Sequence, residues 1–315
     1  MPGLDALLSE TLRSHWGFRR VLLRPSLQGV NSITRVVETD GERFVVHARP
    51  LSPRISHEHG VLAYLAQRGL SFAVPAPVPS AAGATWVEAA GMAVTVTRWI
   101  SGSAPEEGSL EQAQACGKAL AELDRALASL PDASLPASAN VRGSIEEWPD
   151  ARYREVLLAM FEQTHAAEPG LSALPRQTIH RDFDQSNVLV DGDRVSGVLD
   201  FEFCGADIRV LDLTYALSQW PGRLRTSGKE GAVVESFARG YQSLLPLSEA
   251  EIEAVPDVLR RRWTTTLTFR QTRYEQRMVS EADLIAEGRE LAEDFLWLER
   301  NEDKLRNQIR TGARQ

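Results

Sequence analysis

At Ile100-Ser101-Gly102 the chain changes texture, and one layered core cannot serve both sides of the change. Before it, apolar residues alternate over short stretches broken by turn residues, which is the pattern of strands; beyond it they recur at helical spacing over long stretches. Leu4, Leu8 and Leu12 predict a short leading helix. Strands are expected at Arg20–Leu23, Ile33–Thr39 and Arg43–His47, the last two joined by Asp40-Gly41, because both residues tolerate the positive φ of a tight hairpin. A helix from about Arg54 to Arg68 carries Val61, Leu62 and Leu65 on one face and stops at Gly69. Pro75, Pro77 and Pro79 enforce an extended crossing, and Trp86–Glu88 and Met92–Thr97 read as two more strands joined at Gly91. Helices are expected over Leu110–Leu130, Ile145–Ala166, Asp212–Trp220, Val233–Leu245, Glu249–Met278 with a break or kink at Pro256, and Ala282–Asn307, interrupted by β structure near residues 178–200. Ser280 and Asp283 form a capping-box pattern ahead of the last helix, whose stripe of Leu284, Leu291, Phe295, Leu298 and Leu305 reads as core packing. The expected fold class is α+β: a small antiparallel sheet with one intervening helix over residues 1–98, a hinge at 99–102, and a mostly helical lobe over 103–315.

With 315 residues the chain is long enough for two such cores. It has no run of about 18 apolar residues to span a membrane, and Met1-Pro2-Gly3-Leu4-Asp5 does not open a signal peptide. Cys116 and Cys204 lack metal-type spacing; they read as buried small hydrophobes, which suits a cytoplasmic location. The net charge of −8 divides unevenly: residues 1–98 carry 10 Arg against 7 Asp/Glu, and residues 99–315 carry 25 Arg/Lys against 36 Asp/Glu. A basic first part suits a polyphosphate, and an acidic second part argues against nucleic acid.

The chemistry is concentrated in His180-Arg181-Asp182-Phe183-Asp184-Gln185-Ser186-Asn187, which runs into Val188-Leu189-Val190 and later into Val198-Leu199-Asp200-Phe201-Glu202. The first part satisfies H-R-D-x-x-x-x-N, the phosphoryl-transfer loop, at every fixed position. Asp191-Gly192-Asp193-Arg194 reads as the loop between strands Asn187–Val190 and Val195–Leu199. In that register an amide oxygen at Asn187 and a carboxylate at Asp200 converge from opposite strands, a donor pair that suits magnesium, a hard cation completed by phosphate oxygens. Asp182 sits one loop earlier, placed to orient and deprotonate an attacking hydroxyl. Taken singly, Asp182 reads equally as a turn cap, Asn187 as a strand-end residue and Asp200 as a solvent carboxylate; their order and spacing favour the catalytic reading. His180 is expected to brace the loop and not to act as a base.

These residues resemble the aminoglycoside phosphotransferase / choline kinase superfamily, which has a two-lobed protein-kinase-like fold, and within it the homoserine-kinase-like branch. The resemblance extends from Gly29-Val30-Asn31-Ser32 through Glu58 and the Ile100-Ser101-Gly102 hinge to Asp200-Phe201-Glu202-Phe203 and Asp212-Leu213. It implies ATP and Mg2+ as cofactors, Asp182 as the catalytic aspartate, Asn187 and Asp200 as metal ligands, and Asp212 as a brace for the catalytic loop. Gly29, Asn31 and Ser32 would cover the phosphates, and backbone around Arg98, Trp99 and Ile100 would hold adenine. The sequence departs from the family at three points. Arg181 stands where Gly is common, Gly29 is alone in its loop, and residues 1–117 contain no lysine, so the strand lysine that pairs phosphate with the helix glutamate is missing. By register His47 takes its place, with Arg49 on the same face, and either is a candidate partner for Glu58.

The acceptor follows from length and charge. Only 11 residues separate Asp200 from Asp212, too few for an activation segment and peptide platform, so a small-molecule hydroxyl is expected. Arg260-Arg261-Arg262-Trp263 is a basic run, and Arg270, Arg273 and Tyr274 share a helix face. Arg270 or Arg273 is a candidate for a substrate carboxylate, as homoserine would require, and pairing with Glu275 or Glu281 is the structural alternative. A cationic acceptor of the choline or aminoglycoside type would instead use the acidic surplus, with Trp263 or Trp220 as a cation–π wall. Asp184 is a further acceptor-site candidate. The rival class is a catalytically silent nucleotide-binding regulatory protein.

Overall fold

A computed structural model describes residues 2–25, 33–130, 145–146, 148, 150–220 and 230–313. The chain divides into two compact units, residues 1–103 with 196–202, and residues 104–195 with 203–315.

The first unit is a five-stranded antiparallel sheet with a helix on each face. Its elements are α1 (Pro2–Trp16), β1 (Leu22–Pro25), β2 (Ile33–Thr39), β3 (Glu42–Pro50), α2 (Arg54–Leu65), β4 (Val87–Ala89) and β5 (Met92–Arg98), with strand order β1-β2-β3-β5-β4. Alternation along the strands sorts the faces. Val37, Phe44, Val46, Ala48, Val94 and Val96 are buried together with Leu8 and Leu12 of α1. The opposite face carries His47, Arg49, Thr95 and Thr97, and α2 meets it through His59, whose Nδ1 bonds Thr85 Oγ1 at 2.9 Å and whose Nε2 lies 3.5 Å from Thr95 Oγ1. The expected hairpin at Asp40-Gly41 has φ of +48° and +85°, the left-handed pair its turn requires.

Residues 196–202 were read from sequence as part of the helical lobe; they group with the first unit because the chain pairs there. Ala73 N–H donates to Ser196 C=O, and Val198 N–H donates to Ala73 C=O. Gly197 lies under Ile100, whose Cγ2 would collide with any Cβ at that position.

The second unit is built from α3 (Leu110–Leu127), α4 (Ala151–Leu171), β6 (Arg176–Ile179), β7 (Val188–Asp191), β9 (Gly205–Ile208), α5 (Val210–Gln219), α6 (Glu230–Gln242), α7 (Glu249–Glu253), α8 (Val255–Glu275) and α9 (Glu281–Ala313). Between β7 and β9, β8 (Arg194–Val198) pairs with β7 through the turn at Gly192. The α3–α6 crossing is the tightest packing, because a Cβ on Gly117 would overlap the Phe237 carbonyl and one on Gly240 would overlap that of Gln114.

Two helix limits are corrected, and the break expected at Pro256 is present. The helix expected from Ile145 starts at Ala151, where Asp150 caps it by accepting from Arg152 N–H, and runs on to Leu171. The segment Glu249–Met278 is two helices that part at Ala254, with Pro256 in the first turn of α8, where its missing N–H costs nothing. The last helix extends to Ala313; its capping box is present, with Asp283 N–H donating to Ser280 Oγ and Ser280 N–H donating to Asp283. Leu284, Leu291, Phe295, Leu298 and Leu305 are all buried, as their stripe predicted. The β6–β9 pairing was not foreseen, since Gly205-Ala206-Asp207-Ile208 has little strand character of its own. Cys116 and Cys204 are buried and outside any disulfide, and among the described residues no helix is long and apolar enough to cross a membrane.

Candidate active site

The loop after β6 is held from below by one carboxylate. Asp212, in the first turn of α5 and fully buried, accepts the His180 N–H at 2.6 Å on Oδ2 and the Arg181 N–H at 2.5 Å on Oδ1. The expected brace is therefore present in its geometry. Burial pushes Asp212 up to about 6, against the pull of those two N–H donors. Beside it Asp124 of α3, also fully buried, is pushed well above the usual carboxylate range by desolvation and by Asp212 itself. Tyr241 O–H donates to Asp124 Oδ2 at 2.7 Å, while Asp124 Oδ1 faces no donor among the described residues. Keeping one of the two carboxyls protonated would spare the pair two buried charges. Asp124 was missed in sequence because a single acidic residue in a helix carries no sign of burial.

Above the brace, His180 is fully buried and its Nδ1 accepts the Asp182 N–H at 3.3 Å, which makes it a support for the loop. Arg181 has φ +70° and sends its guanidinium to the buried Asp207 on β9, 2.7 Å away. Arg261 of α8 reaches the same carboxylate at 2.9 Å, and the two cations hold Asp207 below its ordinary range despite burial. Asp40, Ala90 and Arg277, three of the five described non-glycine residues with positive φ, sit in turns; the other two are Arg181 and Asp200 (φ +60°), which flank or belong to the expected chemistry.

Asp182 is partly buried and both its oxygens are engaged. Arg262 Nη2 donates to Oδ1 at 3.2 Å, and Asn187 Nδ2 donates to Oδ2 at 3.2 Å and to the Asp182 carbonyl at 2.9 Å. Burial raises the Asp182 pKa, and Arg262, the Tyr215 hydroxyl and Asn187 pull it back down. Asp184 caps the turn Gln185–Asn187, accepting Ser186 N–H at 2.7 Å and Ser186 O–H at 2.6 Å. It is thus committed to shaping the loop that delivers Asn187.

In the first unit the partner of Glu58 is Arg49. Its Nη2 lies 2.5 Å from Glu58 Oε2, the two side chains being 18% and 14% exposed. Desolvation raises Glu58 and Arg49 opposes it. His47 bonds Thr34 Oγ1 at 3.2 Å and is held neutral, at about 4, by burial and by Arg49. Replacing Arg49 by Met should destabilise the chain by about 2 kcal/mol by stranding Glu58, and the Arg49→Met/Glu58→Met double variant should recover most of it. Urea unfolding of the wild type, Arg49→Met, Glu58→Met and the double variant measures this; additive losses would show that the two side chains are not coupled.

The remaining expected residues divide. Gly29, Asn31 and Ser32 lie outside the described residues. Trp99 is 39% exposed, its N–H donating to Arg43 C=O, and Arg98 turns its side chain to Glu42 at 3.4 Å. Asp200 Oδ1 accepts the Glu202 N–H at 3.4 Å. Arg270 pairs with Glu287 of α9 at 3.3 Å, a partner different from either acidic residue expected, and Arg273 is buried with its guanidinium 5.5 Å from the Phe269 ring centroid. Trp263 and Trp220 are buried, Trp220 stacking on Phe183.

Residues 24–252 match the model of the phosphotransferase enzyme family. The chain belongs to that family. Among its relatives are homoserine kinases of Methylobacillus glycogenes, 32% identical over 64% of this chain, of Agrobacterium fabrum, 31% identical over 62%, and of Acidiphilium cryptum, 29% identical over 81%. The matched segments span 63% and 62% of the length of the first two relatives and 82% of the third. A microcompartment-associated aminopropanol kinase shares the fold with a TM-score of 0.73 at 20% identity, over 97% of this chain and 100% of its own. A spectinomycin phosphotransferase solved with ADP and spectinomycin shares it with a TM-score of 0.67 at 11% identity, over 93% and 97%. The α+β protein-kinase-like fold expected from the sequence is thus the fold of this phosphotransferase-family chain.

Arg262 and Tyr215 are the site residues that sequence reading missed. Arg262 lay within a run of three arginines, and nothing in the run marks which one turns toward Asp182. Its guanidinium also sits 4.2 Å from the Tyr215 ring centroid.

Proposed function

We propose that this chain transfers the γ-phosphoryl group of ATP, with Mg2+, to a hydroxyl of a small amino-acid-like acceptor, homoserine being the first candidate. One observation carries the reading: Asp182 and Asn187 are joined in a loop whose backbone N–H groups are held by the buried Asp212. Phosphoryl transfer asks a protein mainly for positioning and charge neutralisation, and a loop braced from beneath provides the first. Asp182 orients the acceptor hydroxyl and takes its proton; burial, by raising its pKa, makes it a better proton acceptor than a solvent carboxylate. His180 and Asp184 keep the loop in shape.

Asn187 and Asp200 are the proposed metal ligands. The donor chemistry fits: Asn187 spends its NH2 on Asp182, leaving a hard amide oxygen, and Asp200 brings a carboxylate. When bound, magnesium supplies charge neutralisation on the phosphate oxygens. Arg49, paired with Glu58, takes the part of the absent lysine on the nucleotide side, which weakens the catalytically silent reading.

Homoserine is favoured because homoserine kinases are among the sequence relatives, and because the tryptophans that a cationic acceptor would use as a wall are buried. The test is ADP release with ATP and magnesium across homoserine, choline, aminoglycosides, sugars and a generic peptide. Stimulation by homoserine above the others is the expected result. Nucleotide binding without turnover on any acceptor would leave a regulatory protein.

A further inference from the structure

Three consecutive arginines on α8 meet three different fates. Arg260 is 5% exposed and is paired with Asp257, Glu299 and Glu302. Arg261 is paired with Asp207 at 2.9 Å and with Glu168 at 3.7 Å. Arg262, turned a further 100° or so around the helix, has Asp182 as its ion-pair partner, and its Nε is buried with no hydrogen-bond partner among the described residues. A guanidinium is a planar fork of five N–H donors that fits a carboxylate with two parallel bonds. Here the fork meets Asp182 through one nitrogen, Nη2, and the Tyr215 ring beside it fixes its plane. A cation that is positioned and partly desolvated, with one buried N–H unpartnered, lies within hydrogen-bonding distance of the proposed base.

We propose that Arg262 is the residue that reads the acceptor, binding its carboxylate, and that in the free protein it is parked on Asp182. This rests on the phosphotransfer reading above and deepens it. An acceptor that carries a carboxylate offers Arg262 a new partner while its hydroxyl takes the freed side of Asp182. The exchange trades one arginine–carboxylate bond for another, so it leaves no charge stranded. A decarboxylated acceptor offers nothing in return, and water offers less than either. The same contact therefore selects amino acids over simple amino alcohols and holds the base back when only water is present. The Arg262 contact is a property of the second unit alone, since Asp182, Tyr215 and Arg262 all belong to it.

The experiment compares homoserine with 3-aminopropan-1-ol, which has the same hydroxyl and amine without the carboxylate, in the wild type and in Arg262→Lys and Arg262→Met. The lysine variant keeps the charge and loses the fork; nucleotide titration and the cooperativity of urea unfolding report that each variant is folded. Expected is a fall of about 10- to 100-fold in kcat/KM for homoserine, smaller for lysine than for methionine, while turnover of 3-aminopropan-1-ol and ATP hydrolysis without acceptor both rise as Asp182 is released. An equal fall on both acceptors would assign Arg262 to the transferred phosphoryl group and overturn the proposal. So would a homoserine preference that survives both substitutions. A wild type that turns over neither acceptor, nor any of the wider panel, removes the phosphotransfer reading itself and this inference with it.

Discussion

Asp182→Asn should lower kcat for the preferred acceptor by about 10²–10⁴-fold, the range that a positioned general base contributes. The substitution is close to isosteric. It keeps an oxygen for the Asn187 Nδ2 bond, and the Asp212 brace acts on backbone N–H groups that it does not touch. It removes the carboxylate that burial keeps basic and that Arg262 partners. The loss should therefore appear in kcat, with the nucleotide dissociation constant and the cooperativity of unfolding retained. Steady-state ADP release combined with nucleotide titration separates these quantities. Wild-type turnover in this variant would take Asp182 out of the reaction, and the proposed chemistry would lose its centre.

The largest effect on stability is expected at the α3–α6 crossing. Gly117 and Gly240 face each other's helices so closely that each Cβ would fall on a backbone carbonyl of the partner, at Phe237 and at Gln114. A backbone oxygen cannot swing aside as a side chain does, so Gly117→Val should cost about 4 kcal/mol or more, beyond ordinary overpacking. The damage should reach the site, because α3 carries Asp124 and α6 carries Tyr241, the buried pair next to the brace. Gly60→Ala is the matched control: it lies in α2 with nothing within 4 Å of the added methyl, and helix propensity predicts a gain of about 0.5–1 kcal/mol. Urea unfolding of both variants checks the contrast. A Gly117→Val protein as stable as the wild type would mean that the helices do not approach at this point.

The two-part organisation was legible because its signals are local. Turn chemistry at Asp40-Gly41 and at Gly91, alternation along Ile33–Thr39, and the stripe from Leu284 to Leu305 each act within a few residues, and each corresponds to an observed element. Helix limits were less legible. Asp150 caps α4 from just outside the apolar pattern, and the break expected at Pro256 falls at Ala254, which leaves the proline in the first turn of the next helix. The pairing of β6 with β9 was hidden because a strand of four residues takes its form from its neighbour more than from its own side chains.

The sequence by itself marked His180, Asp182, Asn187 and Asp200 as candidates for one phosphotransfer loop and its metal, since that pattern is a matter of order and spacing along the chain. It also narrowed the partner of Glu58 to His47 or Arg49. Tertiary structure chose Arg49, because burial leaves His47 neutral while the longer cation reaches the carboxylate. It turned Arg262, and neither of its two neighbours in the run, toward Asp182, and it drew Asp124 against Asp212. Those choices depend on which face of a helix packs against which neighbour, and three identical arginines in a row carry no record of that.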